Sequence, residues 1–437
     1  MRDALKDLNA ENVHLGIFDL DGLFRHKQVD AGKAAKLAAG GYQFCDVIYA
    51  WDSAEKTYDD NTPYIDRPCA VDVASLRQYP FGDGSAIAIA DFTGDFGNLS
   101  PRNQLVKMLD KAAELGFDVL SAFEFEFFVL QETPDTLREK GFRGLDHFAK
   151  ANRTYSLQST VLYDELFTDL RNAMARMGIG MDSIHTELGP GCFEVPLAVE
   201  RGLRSADNAA LFKNFAKAFF LRRDLTAAFM SKLSPDLPGQ SGHLHVSLRS
   251  RHDDSAVFSD PSAADGLSQT ARHFIGGLVR LMPEMLAMCS HTINAYRRMV
   301  PGMWAPTASN WGIQNRTAAV RVINDTPEAT RVEFRVPSAD TNPFSALAMC
   351  LGAGLYGIEN RIEPPAPIAG VEKDAPVDLH LPADLLEAAA RLEQSKAARA
   401  LFGNDFVDHF VLSRRKEVEA FRRHVTDWEI RRYIEIL

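Results

Sequence analysis

Glu124 and Glu126 stand two residues apart in Phe123-Glu124-Phe125-Glu126-Phe127. In a strand, alternate side chains fall on opposite faces, so both carboxylates project together while three phenylalanines bury the other face. The same polarity recurs along the chain. His185 and Glu187 share a face in His185-Thr186-Glu187, and Glu194 follows after Gly189-Pro190-Gly191. His243 and His245 share one in Gly242-His243-Leu244-His245, and Arg331, Glu333 and Arg335 share one in Arg331-Val332-Glu333-Phe334-Arg335-Val336. Any single segment also reads as a half-exposed strand with solvated charge, and a lone histidine as a hydrogen-bonded core residue. Four such strands, each beside a glycine- or proline-rich loop, point to one shared site.

The residue types say what that site could do. Carboxylate oxygens with one or two imidazoles, and no suitably spaced thiolates, favour Mg²⁺ or Mn²⁺ over zinc. Carboxylates at close quarters repel one another unless cations neutralise them. Arg298, Arg316, Arg321, Arg331 and Arg335 add guanidinium forks, which match phosphate and carboxylate geometry. Cations with arginines are what phosphoryl transfer requires, since its catalysis is largely charge neutralisation and alignment. The expected chemistry is metal-dependent, ATP-driven and directed at a small acid.

The elements that must position these groups can be read more coarsely. Val13 to Val29 predicts two strands around an Asp21-Gly22 turn, and Phe44–Tyr49 and Ala86–Asp91 read as further strands, so the first hundred residues form a small, mostly β unit. Ser100-Pro101 marks a change: a helix cap followed by proline at the first helical position, with Leu105, Met108, Leu109 and Ala112 as an apolar stripe. Helices and short strands alternate from there. Asn208–Leu225 predicts a helix with Leu211, Phe215, Ala218 and Phe219 on one face, and Val418, Phe421, Val425 and Trp428 predict a C-terminal helix packed on the core.

A chain of 437 residues suggests two domains, and 46% hydrophobic with 24% charged residues places it in the soluble globular class. The net charge of −11 argues against nucleic-acid binding. Cys45, Cys69, Cys192, Cys289 and Cys350 are scattered and odd in number, which excludes a disulfide framework or zinc ribbon and fits a reducing cytoplasm. The first residues lack the apolar run of a signal peptide, and the longest apolar passage, 346–358, is too short to span a bilayer. No membrane partner is expected.

Six segments in order resemble the glutamine synthetase family, type I, along nearly the whole chain. They are Glu124 to Phe128, His185 to Glu194, Gly239 to Leu248, Asn294 to Gly302, Asn315 to Arg321, and Arg331 to Arg335. The resemblance implies an α+β fold: an N-terminal β-grasp domain over 1–99, then a catalytic domain over 100–437 with a bent antiparallel barrel and surrounding helices. It implies Glu126, Glu187 and Glu194 around a first metal, and Glu124, His243 and Glu333 around a second. Gly239 and Arg298 would contact glutamate. Arg316, Arg321 and Arg335 would grip the transferring phosphate and the γ-glutamyl phosphate. His245, Ser247 and Arg331 would lie near ATP. Active sites between subunits and two stacked hexameric rings are implied as well.

The chain departs from that pattern in informative places. The family's flap carries a glutamate two residues after the glycine of Val300-Pro301-Gly302, which helps remove a proton from ammonium; here the flap continues Met303-Trp304-Ala305-Pro306. An indole accepts no proton and forms no ion pair. Asp46, in Phe44-Cys45-Asp46-Val47, is the loose counterpart of the family's ammonium-binding aspartate. The lysine expected before the last metal strand is replaced around Pro327-Glu328-Ala329, and Pro365–Asp378 holds no tyrosine for an adenylylation switch. The expected function is therefore a γ-glutamylamine ligase resembling γ-glutamylpolyamine synthetases, with Trp304 at the acceptor side, glutamate and a small primary amine as substrates, and two or more Mg²⁺ or Mn²⁺ ions. An authentic glutamine synthetase using ammonium is the alternative, and a non-catalytic relative the remote one.

Overall fold

The computed structural model describes all residues except Asp60, residues 372–374 and Leu437. The chain alternates helices with strands that form two mixed sheets. The first sheet holds β1 (Asn12–Phe18), β2 (Phe24–Asp30), β3 (Tyr42–Cys45), β4 (Asp66–Gln78) and β5 (Ser85–Phe92), in the order β2-β1-β5-β4-β3. β1 and β2 form the expected hairpin, with Asn12 opposite Asp30 and Phe18 opposite Phe24. Its turn is tied by the Asp19 carboxylate, which accepts from the Asp21 and Leu23 N–H groups, while Gly22 takes a left-handed φ of 84°. β1 runs parallel to β5 in the middle of the sheet.

One expectation for this region needs correction, and two elements join those foreseen. The strand foreseen over Phe44–Tyr49 stops at Cys45 and gives way to a 3₁₀ turn at Asp46–Tyr49, because the Asp46 N–H and carboxylate bond to Ile65 instead of continuing a ladder. β4 was not anticipated; its alternation is broken by an irregularity between Asp72 and Arg77. A helix, Ala31–Ala38, capped by Asp30, also packs on the sheet.

The second sheet carries β6 (Phe117–Leu130), β7 (His185–Thr186), β8 (Cys192–Pro196), β9 (Glu200–Arg201), β10 (Thr226–Ala228), β11 (Gly242–Ser250), β12 (Trp311–Ile313), β13 (Val320–Ile323) and β14 (Arg331–Phe334). The main path runs β12-β13-β14-β11-β6-β8-β7, and β9 and β10 also pair with β6. β6 is the hub. Phe123, Phe125 and Phe127 are buried on one face, where Phe125 stacks on Phe212 and Phe127 on Phe229. Those partners are supplied by the Leu203–Leu221 helix and the segment after β10. Glu124 and Glu126 are thereby turned to the opposite face, as the alternation predicted.

The helix beginning at Ser100-Pro101 runs to Glu114, with the Ser100 hydroxyl accepting from the Asn103 N–H. The helix foreseen over 208–225 instead spans Leu203–Leu221; Asp224 adopts a left-handed φ and the chain turns into β10. The C-terminal expectation fails in part. Val418 is buried in the Asn404–Arg422 helix, but Phe421 near its end is exposed, Val425 lies between helices and Trp428 is in a short exposed helix, so these three stay outside the core.

One apolar core lies within the first-sheet region, and a larger one around the second sheet also takes in Phe18, Ile87 and Ile89 of the first; polar fastenings add to that packing. Arg102, in the first turn of its helix, pairs with Asp72 at 2.5 Å, Asp91 at 2.6 Å and Asp207 at 2.7 Å, linking β4, β5 and the Leu203–Leu221 helix. Such a buried cation is stable there because three carboxylates surround it. No described helix is long and apolar enough to cross a membrane.

Candidate active site

Strand register brings the charged residues together. Glu124 on β6 lies opposite His243 on β11, and His245 lies opposite Glu333 on β14. Arg321 on β13 faces Glu333 from the other side. On the opposite flank Glu126 faces Glu194 on β8, and His185 on β7 faces Glu194 in turn. Six adjacent strands thus present one continuous charged face.

Two compact groups result. In the first, Glu124, His245 and Glu333 offer ligand atoms within 4.8 Å of one another. His243 joins them: its Nδ1 is 3.0 Å from Glu124 Oε1 and 3.5 Å from Glu333 Oε1, while His245 Nε2 is 3.3 Å from Glu124 Oε1. In the second, His185 Nδ1 is 3.5 Å from Glu187 and Nε2 is 3.4 Å from Glu194. These groupings bring members of both expected ligand sets together with two histidines. His245, expected near nucleotide phosphates, sits within the Glu124–Glu333 group because its strand position shares a face with His243. His185 lies between Glu187 and Glu194, and Glu126 Oε2 accepts the Ser241 N–H at 2.6 Å. Glu126 still borders the group, opposite Glu194.

The electrostatics ask for positive charge in the second group. Burial, then the charges of Glu124, Glu126 and Glu187, push the Glu194 carboxyl up to about 10. Burial also raises Glu126, against the bonds from Ser241 and the charge of Arg298. In the first group burial opposes ionisation of Glu124, but His245 and His243 prevail and hold its carboxyl well below the usual range. Burial and Arg335 push His243 down to about 4, leaving a neutral imidazole. Its Nε2 is buried with no hydrogen-bond partner. A free imidazole nitrogen among carboxylates, and two glutamates facing each other across a strand pair, fit oxygen-preferring divalent cations.

Arginines border both groups. Glu333, 1% exposed, receives Arg321 Nη1 at 2.9 Å and is also bonded by Arg335 Nη1. Arg331 Nε donates to His245 Nδ1 at 3.2 Å. Arg298 is buried, and its guanidinium donates to the Val336 and Arg335 carbonyls at 3.0 and 3.1 Å. A Cβ on Gly239 would lie 2.6 Å from Arg298 Cγ, so glycine is what lets the 239 backbone ride on that stem. Arg316 is exposed at the rim, close enough to Tyr155 for its charge to act on that hydroxyl. Ser247 lines a cleft of about 370 Å³ with Glu124, His245, Glu328 and Arg331.

Two expected residues lie elsewhere. Asp46 accepts from Arg67 Nε at 2.8 Å and from the Ile65 N–H, both in the first-sheet region. Trp304 is 70% exposed and has a left-handed φ of 59°, which is costly for a bulky side chain. It lines a separate cavity of about 680 Å³ with Pro301, Pro306, Thr317 and Leu381. Tyr155 was missed by sequence reasoning: its ring centroid lies 4.8 Å from that of His185. It sits in irregular chain, where no periodicity marks it. His185 carried a signal, since it shares a face with Glu187.

Residues 98–433 match the glutamine synthetase catalytic-domain family. The whole chain is 36% identical to type-1 glutamine synthetase 2 of Dictyostelium discoideum, spanning 86% of that protein. It is 34% identical to the glutamate–isopropylamine ligase of a Pseudomonas species, over 100% of this chain and 98% of that one. It is also 34% identical to γ-glutamylethanolamide synthetase GlnA4 of Streptomyces coelicolor, over 98% and 93% of the two chains. The solved structure of a GmaS–ADP complex superposes with a TM-score of 0.85 at 26% identity, covering 99% of both chains. With its charged sheet face and these relatives, the chain belongs to the glutamine synthetase family of ATP-dependent carbon–nitrogen ligases.

Proposed function

We propose that the enzyme joins the γ-carboxylate of glutamate to a primary amine, using ATP, and releases a γ-glutamylamide. The observation that carries the amine assignment is Trp304, which occupies the flap where the family places an acid. Ammonium must be attracted and deprotonated by anionic groups, whereas an indole offers a cation–π face worth roughly 0.5–2 kcal/mol and area to cover hydrocarbon. An ethyl-sized substituent gains more than about 1 kcal/mol on leaving water, at about 25 cal/mol per Å². Two relatives spanned almost end to end are named as a glutamate–isopropylamine ligase and a γ-glutamylethanolamide synthetase, which supports the same reading. The similarity to a type-1 glutamine synthetase keeps ammonium as the competing acceptor.

In this reading Glu126, Glu187, Glu194 and His185 hold one Mg²⁺ or Mn²⁺, and Glu124, His243, His245 and Glu333 another, and these ions when bound neutralise the transferring phosphoryl group. Arg298 and the Gly239 backbone orient glutamate. Arg321 and Arg335, fixed by Glu333, together with Arg316, grip the phosphate as it reaches the γ-carboxylate. The amine nitrogen then attacks that carbon, phosphate departs, and the amine proton passes to a nearby acid or water. Ser247 and Arg331 border the cleft assigned to ATP.

The assembly belongs to the same proposal. Residues 1–99 form a β-grasp domain and 100–437 a catalytic domain whose sheet bends into a barrel. Two stacked hexameric rings, in the cytoplasm, bring a neighbour's N-terminal domain, and with it Asp46, to the amine side. The test is an ADP-release screen with glutamate held constant and alkyl, hydroxyalkyl, aromatic and polyamine acceptors, with product mass identified. An amine giving the glutamylamide mass is expected; release with ammonium alone, yielding glutamine, would overturn the assignment.

A further inference from the structure

The cavity of about 680 Å³ that Trp304 lines has two unlike walls. The front is the flap itself, from Pro301 to Pro306. The back is laced together by backbone. Ala308 bridges His380, the Leu381 N–H donates to the Thr307 carbonyl at 3.1 Å, and the Ser309 N–H donates to the Leu379 carbonyl at 2.7 Å. Ala308 and Leu381 are buried there.

The cavity adjoins the arginines of the site. Met299 in its wall follows Arg298, and Thr317 follows Arg316. Asn310, also in the wall, accepts the Ala319 N–H at 2.8 Å, and the Ala319 carbonyl accepts the Arg335 N–H at 2.9 Å. A single buried residue thus links the cavity wall to the arginine that Glu333 fixes.

The lining says what would fit. The volume falls within the range of about 300–1,000 Å³ typical of small-molecule sites. Met299, Trp304, Pro306, Val371, Leu381 and Pro382 supply apolar surface. Among the described residues, no carboxylate, ammonium or guanidinium group lines the space. Three of its polar side chains are turned to partners of their own. The Thr317 hydroxyl donates to Asn315 Oδ1 at 2.7 Å, Asn310 Oδ1 is engaged by Ala319, and His380 Nε2 donates to the Ala375 carbonyl at 3.0 Å. An alkyl chain gains here by leaving water. A second ammonium group would lose its water and find no counter-ion.

We propose that this cavity receives the substituent of the acceptor amine and restricts the acceptor class to monoamines with an uncharged, largely apolar chain. The inference rests on the amine-ligase reading above and narrows it. The reacting nitrogen stays at the indole face of Trp304, and its substituent runs past the flap toward Leu381. Polyamines are excluded because their distal charge has no partner in this wall.

The experiment compares butylamine with putrescine, the same chain carrying a second amine, using full-length enzyme with ATP, Mg²⁺ and glutamate. In the wild type, kcat/KM for butylamine should exceed that for putrescine by about tenfold or more. Thr307→Glu places a carboxylate in the wall at an exposed position and should narrow that ratio by about tenfold. Thr307→Gln, similar in size but neutral, should keep the wild-type ratio, which separates charge from bulk. Putrescine used as well as butylamine by the wild type would overturn this inference alone. So would a ratio that Thr307→Glu leaves unmoved or that Thr307→Gln moves equally. Turnover with ammonium and with neither amine would overturn the amine-ligase reading, and this inference with it.

Discussion

The charged face of the second sheet and the flap at 300–307 solve different problems in different ways. On the sheet, the strand-borne reactive side chains are placed by cross-strand partners: Glu124 by His243, His245 by Glu333, Glu126 by Glu194. Their opposite faces are locked by packed phenylalanines, so no side chain can change face without a register slip. The flap has no such scaffold. It is held by turns, and Gly302 and Trp304 both adopt left-handed backbone. The lesson is a division of labour. In the proposed reaction, charge neutralisation for phosphoryl transfer would rest on rigid register, and acceptor choice on a loop whose sequence can change without disturbing the sheet.

The largest expected effects come from breaking the sheet side. Glu333→Gln should lower turnover by about 10³ or more, because Glu333 both borders the ligand group and fixes Arg321 and Arg335. Chelation with EDTA should abolish ADP release, and Mg²⁺ or Mn²⁺ should restore it; metal-independent activity would separate the two carboxylate groups from the chemistry. Arg335→Ala should cost about 10²–10³ in turnover. Glu333 keeps Arg321 at 2.9 Å in that variant, so cooperative unfolding and assembly should be retained. Loss of folding in parallel with activity would make Arg335 structural. Gly239→Ala is a milder probe: displacing the Arg298 stem by its new methyl should raise KM for glutamate by about tenfold, as small misplacements do, with a smaller change in kcat. An unchanged KM would detach Arg298 from the substrate.

The same contrast explains what could be read from the sequence. Phe123 to Phe127 announces its strand and its charged face by simple alternation, and the Ser100-Pro101 helix start is equally plain, because both signals are local. The order of strands is not local. Nothing in Gly242 to His245 says that His245 will face Glu333 while His243 faces Glu124, and the clustering of His245 with Glu124 and Glu333 follows from that pairing. His185 was visible as a neighbour of Glu187 but needed β8 beside it to become part of a group. Tyr155 lies in irregular chain and left no pattern. β4 escaped notice because its alternation is interrupted between Asp72 and Arg77, and the exposed Val425 and Trp428 show that helical spacing does not by itself mean burial.

The flap should show the smallest effect on overall turnover and the clearest one on selectivity. Trp304→Glu leaves every sheet contact in place, so ATP-dependent chemistry should persist with a modest change in kcat. What should move is the ratio of kcat/KM for ammonium to that for the best primary amine. For the wild type that ratio should favour the amine, and in Trp304→Glu it should shift toward ammonium by about tenfold, the equivalent of 1.4 kcal/mol. A wild-type enzyme that prefers ammonium by tenfold or more, or a ratio that the substitution leaves unmoved, would contradict the assignment of acceptor choice to the flap.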